Sequence, residues 1–129
     1  MSEKFTVEIL SPDRSIFKSE AKEVTIPSFE GQLGILKDHV PLITFLRPGI
    51  VIIKENKEEK FFVEEGTVEF SNNNLLILTS KATTIDSMDK ISVNALLEKS
   101  QNEINKDEIS DKEKYLLTHK IETLKEMIK

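Results

Sequence analysis

Every glycine (Gly31, Gly34, Gly49, Gly66), every proline (Pro12, Pro27, Pro41, Pro48) and every phenylalanine (Phe5, Phe17, Phe29, Phe45, Phe61, Phe62, Phe70) of this 129-residue chain lies at or before residue 70. The 59 residues that follow contain none of the three. Gly and Pro set turns, and aromatic and β-branched side chains suit a pleated surface, so the first part reads as closely spaced strands. Ten segments fit: KFTVEIL, RSIFK, AKEVTIPS, QLGILK, PLITFL, GIVIIKE, KFFVEE, TVEFS, LLILTS and ATTI. The intervals between them leave no room for helical crossovers, which predicts an all-β sandwich or barrel rather than βαβ units. The expected class is α+β, with a β-sandwich over 1–86 and a helical hairpin over 87–129.

In the first strand Phe5, Val7 and Ile9 alternate with Thr6 and Glu8, the period of a sheet with one face in water. IVII (50–53) and LLIL (75–78) do not alternate. Neighbouring side chains in a strand point to opposite faces, so these runs place apolar groups outside as well as inside. Something should cover that outer surface, and Val51, Ile53, Leu76 and Leu78 are its candidates. The plain alternative is that both strands are central or locally irregular.

Beyond residue 88 the period changes. Leu117, Ile121, Leu124 and Ile128 are spaced 4, 3 and 4, one stripe of a helix that Leu116 and Met127 widen. Ser110 followed by Glu113 is a capping-box signature at its start. An earlier helix, about 89–104, carries Val93, Leu97 and Ile104, with Ser100 or Gln101 where the middle apolar residue belongs. The short NKDEIS link folds the second helix back on the first. So small an apolar face predicts a hairpin that is ordered only against the sandwich or a partner.

The chemistry on offer is thin. A net charge of −5 lacks the clustered cations that phosphate binding needs, which argues against nucleic-acid partners. The absence of Cys removes disulfides, thiolate metal sites and cysteine nucleophiles. The start MSEKFTVEIL does not read as a secretory signal, and no run approaches the roughly 20 apolar residues of a membrane span. His39 follows Asp38 directly, but adjacent residues of an extended chain point apart and make no charge relay. His119 lacks a second His at i+4 for a metal. The acidic pairs Glu58/Glu59, Glu64/Glu65 and Asp107/Glu108 read as solvated turns or a helix start. No GxxxxGK[ST] or GxGxxG loop is present, and no helix follows EGQLG to meet a phosphate. With no Trp and one Tyr, a stacking surface for sugars or bases is poorly supplied. No catalytic, cofactor or metal residues are assigned.

The segment IPSFEGQLGILKDHVPL, residues 26–42, is the most specific. Glu30-Gly31 reads as a turn with φ > 0 at Gly31, Gly34 as a bulge or close backbone approach, and Pro41 as a limit on pairing after the His39 corner. This segment resembles the PSxEGxLGILPxHxPL signature of the ε-subunit family of F-type ATP synthases, with Pro48-Gly49 where that family has a PG pair. FFVEEGTVEFSNNNLLILTSKA is similar to a second family stretch, and the likeness spans essentially the whole chain. Lys37 stands where the family usually has Pro, and Glu65 where it has the first of two glycines. Some bacterial members carry an ATP-binding IDxxRA motif at the start of the first helix. Aligned on Ile91, Ser92, Val93, Asn94, Ala95 and Leu96, both of its charged groups are missing here, which predicts negligible ATP affinity.

The resemblance implies a non-catalytic part of the central rotor, joining the γ shaft to the c-ring and coupling proton flow to ATP synthesis, with no cofactor of its own. It carries the c-ring contact onto Glu30, Gly31 and Gln32, with His39 nearby. The outward apolar residues would face γ or the folded hairpin. In relatives the hairpin can extend toward the catalytic α and β subunits and inhibit hydrolysis. Here Lys112, Lys114, Lys120, Lys125 and Lys129 are offset by Asp111, Glu113, Glu122 and Glu126, leaving the second helix nearly neutral and that role open. The implied location is the cytoplasmic face of a bacterial inner membrane, or less readily a plastid thylakoid, bound only through the complex. Composition and periodicity alone leave two other readings: a free-standing β-sandwich adaptor whose hairpin docks on an unrelated partner, and a small hydrolase using Asp38 and His39.

Overall fold

The computed structural model describes residues 3–129, so Met1 and Ser2 of the predicted 1–86 unit lie outside the described residues. All ten predicted strands form: β1 (Phe5–Leu10), β2 (Ser15–Ala21), β3 (Glu23–Ser28), β4 (Gly31–Leu36), β5 (Leu42–Leu46), β6 (Gly49–Lys54), β7 (Glu58–Val63), β8 (Gly66–Ser71), β9 (Asn74–Thr79) and β10 (Ala82–Thr84). A single 3₁₀ turn, Ile85–Ser87, leads to α1 (Lys90–Ile104) and α2 (Asp111–Met127).

The strands follow the order β10-β7-β6-β3-β5-β8-β9-β1-β2, with β4 on β3. The path folds where β3 meets β5 through one pair, Ser28↔Leu46, so two five-stranded sheets face each other. Every pairing is antiparallel except β1 with β9. Between the sheets lie Phe5, Val7, Ile9, Val24, Ile26, Ile35, Leu46, Phe61, Val63, Val68, Phe70, Leu75 and Ile77, all buried. Phe5 and Phe70 meet edge to face at 5.6 Å, the preferred aromatic geometry.

Val51 and Ile53 belong to this core as well. Their assignment to the outer surface is therefore corrected. Val51 stands opposite inward-facing Phe61, whereas Ile50 stands opposite outward-facing Phe62, so the exterior pair on β6 is Ile50 and Ile52. Gly34 is also regular: it pairs with Thr25 in an unbroken ladder and marks no bulge. Leu76 and Leu78 do point outward, as expected.

The hairpin lies on the sheet that contains β6 and β7. Phe62, Val93, Leu97 and Leu124 form a second buried cluster, with Ile50, Leu96, Ile121, Met127 and Ile128 around it. The start of α1 thus meets the end of α2, as an antiparallel hairpin requires. Ile104 and Leu117 are only half-buried and fall outside this cluster; Leu116 takes the buried place expected of Leu117. Helix α2 touches both α1 and the sheet, so its buried residues occupy two lines rather than one stripe. Ser100, the polar gap in the α1 stripe, is fully buried, and its hydroxyl donates to the Leu96 carbonyl at 2.8 Å. Ser110 caps α2 as predicted, its Oγ accepting from the Glu113 amide at 3.0 Å.

Candidate functional site

Two surfaces and one seam carry the features from which function can be argued. The first surface is the outside of the sheet that the hairpin leaves bare. Register places Phe45, Thr67, Leu78 and Leu10 in one row across β5, β8, β9 and β1, and Ile43, Glu69, Leu76 and Glu8 in the next. Ile43 is 76% exposed, Phe45 60% and Leu78 42%. Five apolar residues thus gather on one face with Thr67, Glu69 and Glu8 among them, a clustering that favours a partner site more than apolar residues scattered singly would.

The second surface is the β3–β4 turn. Gly31 has φ +128, a conformation that residues with a Cβ rarely adopt. The turn is held from several sides. Ser28 Oγ donates to the Gly31 carbonyl at 2.6 Å and accepts from the Glu30 amide at 3.3 Å, and the Phe29 amide donates to the Phe45 carbonyl at 3.0 Å. Glu30 and Gln32 remain exposed on this fixed frame.

His39 is not beside that turn. Glu30, Gly31 and Gln32 sit at one end of β4, and His39 lies three residues past the other, a strand length of about 17–20 Å away. Its Nδ1 lies 2.7 Å from the Val40 carbonyl and its ring lies edge-on to Phe70 at 6.0 Å. Asp38, at φ 67, is tied to Asn73 by two hydrogen bonds of 2.7 and 3.0 Å. Asp38 therefore anchors the corner to the β8–β9 turn, and the hydrolase reading loses its base pair.

The seam joins the hairpin to the sandwich, and sequence reasoning missed most of it. Lys120 Nζ donates to Glu64 Oε1 at 2.7 Å. The Tyr115 hydroxyl donates to the Phe29 carbonyl at 2.7 Å and accepts from Arg47 Nη1 at 3.2 Å. Arg47 Nη1 also lies 3.4 Å from His119 Nε2. A recess of about 660 Å³ opens beside this group, bounded by Pro27, Ile52, Lys60 and Met127 among others. Arg47 and His119 are 72 positions apart, so no local pattern announces their meeting. Burial, and then the Arg47 guanidinium, hold the His119 imidazole below its ordinary value of 6.5, against the opposing pull of Glu122.

The start of α1 revises the nucleotide-motif alignment. Helix α1 begins at Lys90 with Asp89 as its N-cap, whose carboxylate accepts from the Ser92 amide at 2.7 Å. That bond and the Ser92 side chain hold the Asp89 carboxyl below the usual carboxylate range. Read from the helix start, the motif runs from Met88 to Val93. Its acid is present as Asp89, and its arginine is replaced by Ser92. Ile91 points into solvent at 81% exposure, while Ala95 and Leu96 lie beyond the motif. Among the described residues no group of three or more His, Asp or Glu is placed to hold a metal ion.

Comparison with known proteins agrees with this architecture. The family described as "ATP synthase, Delta/Epsilon chain, beta-sandwich domain" matches residues 4–85. The ATP synthase epsilon chain of Pelagibacter ubique is 44% identical over 127 residues, covering 97% of this chain and 98% of that one. The chloroplastic epsilon chain of Porphyra purpurea is 35% identical over 116 residues, covering 89% and 86%. A chain in the cryo-EM structure of the Euglena gracilis mitochondrial ATP synthase (OSCP/F1/c-ring, rotational state 1) superposes with a TM-score of 0.81 at 18% identity, covering all of this chain and 84% of that one. A chain from the Tetrahymena thermophila central stalk and c-ring gives 0.71 at 16% identity, covering 99% and 98%. With strand order, hairpin and sequence likeness in agreement over nearly the full length, this chain belongs to the epsilon-chain family of ATP synthases.

Proposed function

We propose that this chain is a non-catalytic stalk subunit of a membrane-bound, proton-translocating ATP synthase, gripped between the γ shaft and the c-ring. The bare apolar row is the observation that carries this reading. Leu10, Ile43, Phe45, Leu76 and Leu78 lie on one outer sheet face, and among the described residues both helices lie on the opposite sheet. Burying that row against a permanent neighbour is favourable at about 25 cal/mol per Å², and γ is the neighbour assigned to it. A close-packed two-sheet body suits this position, because torque passes through it with little compliance.

The β3–β4 turn is assigned to the c-ring, with Glu30 and Gln32 offering polar contacts from the frame that Ser28, Gly31 and Phe29 hold. Among the described residues β4 pairs only with β3, so its other edge is open from Gln32 toward the His39 corner. A ring surface running along that edge would meet both ends. The chain reaches the membrane through these contacts, on the side where γ enters the ring, which in a bacterium is the cytoplasmic face.

The test is co-purification of the full chain with γ, comparing wild type with Phe45→Asp. A carboxylate in place of this largely exposed aromatic ring of the apolar face should remove the complex while leaving the circular dichroism spectrum of the free chain unchanged. Retention of γ by Phe45→Asp at wild-type strength would overturn the assignment of this face.

A further inference from the structure

Arg47, half-buried on the β5–β6 link, reaches Tyr115 and His119, which stand one turn apart on α2 with their rings 4.6 Å apart. A guanidinium only donates, so the 3.4 Å approach of Arg47 Nη1 requires a lone pair on His119 Nε2. The ring proton then sits on Nδ1, which faces Glu122 Oε2 at 3.7 Å. Protonation of Nε2 would remove the acceptor and set a second cation against the guanidinium. We propose that His119 is a proton-operated latch: the neutral imidazole keeps α2 seated on Arg47 and the sandwich, and the imidazolium releases the hairpin.

The charged groups around the imidazole come from three elements. Arg47 approaches from the β5–β6 link, Lys60 of β7 lines the same recess, and Glu122 and Glu126 belong to α2 itself. Arg47 disfavours a charged ring and Glu122 favours it, while Lys60 and Glu126 lie on the recess wall with ion-pair partners of their own. Burial and Arg47 outweigh Glu122, so the docked imidazole titrates below 6.5. In the released hairpin the ring returns to water and to its ordinary value. The docked form therefore binds fewer protons. Docking is at full strength above about 6.5 and weakens as pH falls from there through the depressed value. The Lys120–Glu64 pair and the Tyr115–Phe29 bond do not involve the imidazole. This inference concerns docking within the free chain and stands independently of the partners proposed above.

The chain has no cysteine, so Lys57→Cys and Lys106→Cys, both in exposed turns, allow clean dye attachment for single-molecule energy transfer on the full chain. Between pH 8.0 and 5.5 the released-to-docked ratio should rise in the otherwise wild-type chain, by up to about tenfold for one imidazole with an ordinary released value. His119→Gln keeps an acceptor for Arg47 and does not titrate, so its ratio should stay flat over the same range. The imidazole is also visible by NMR, with only His39 to tell apart from it; His119 should titrate below 6.5, and Arg47→Gln should move it upward. A flat wild-type ratio, an equal pH response in His119→Gln, or an imidazole titrating at or above 6.5 would each overturn the latch.

Discussion

Leu124→Ala tests whether the hairpin docks as a unit of its own. Leu124 is fully buried among Phe62, Val93 and Leu97, and Phe62 projects from β7, a strand fixed on its other face by the sandwich core. That wall cannot collapse into the space left by the side chain, so the cost should fall within the usual range of about 2–5 kcal/mol for Leu→Ala in a core. At about 1.4 kcal/mol per tenfold, the opening equilibrium of the hairpin should rise roughly 30- to 3,000-fold. The measurement is hydrogen exchange by mass spectrometry at neutral pH on the full chain. Amides of α1 and α2 should exchange faster by that factor, while those of β1 and β9, in the centre of the other sheet, should not change. Leu117→Ala, a half-exposed change outside the cluster, should have a much smaller effect. Equal acceleration in α2 and β9 would mean that hairpin and sandwich open together, and would refute the reasoning.

Two further outcomes follow from single positions. A Cβ on Gly66 would fall 2.2 Å from the Leu78 carbonyl oxygen, a backbone atom of the paired strand that cannot step aside, so Gly66→Ala should lower the denaturation midpoint by an amount equivalent to about 1–3 kcal/mol or more. Glu65→Gly, restoring the pair of glycines common in the family, should leave the midpoint nearly unchanged. Because Ser92 stands where the nucleotide motif has arginine and Asp89 is engaged in capping, millimolar ATP should leave the melting temperature where it was; an appreciable rise would show a nucleotide site built from other groups.

The strands were legible because Gly and Pro punctuate them and because β1 and β3 alternate. What the chain does not display is which face each member of an unbroken apolar run takes. In IVII all four residues are equally apolar, and the outer pair had to be read from register, Ile50 against Phe62 and Ile52 against Lys60. A usable signal was present, since Lys54 ends β6 with the parity of Ile50 and Ile52 and so marks the wet side. Asn74 does the same for Leu76 and Leu78 on β9. For α1 the polar residue marks the true helix start: Asp89 caps, and aligning the motif on it changes which charged group is absent. The Arg47, Tyr115 and His119 cluster had no such marker. It depends on how α2 lies across the β5–β6 link, a tertiary result that periodicity does not encode.

The two outer faces of the sandwich are covered on different terms, and this difference bears on what the hairpin is for. On the β6–β7 side the cover is intramolecular and modest: one small apolar cluster, plus polar ties through Lys120, Tyr115 and Arg47 at a partly hydrated rim. Such rim contacts contribute on the order of 0.5–1.5 kcal/mol each at most. The sandwich core between the sheets is far larger and buried from solvent. Departure of the hairpin would expose Phe62 and Ile50 to water while leaving the contacts between the sheets in place, which is the separation that Leu124→Ala tests. On the β5–β8–β9–β1 side Ile43, Phe45 and Leu78 stay largely exposed among the described residues, Phe45 meeting only the edge of the Phe29 ring at 6.4 Å. Under the proposed assignment a partner on that face stays in place, whereas the cover on β6–β7 is held by fewer contacts. A rigid block with one face covered by a neighbour and the other by its own hairpin would then transmit rotation whichever state the hairpin takes.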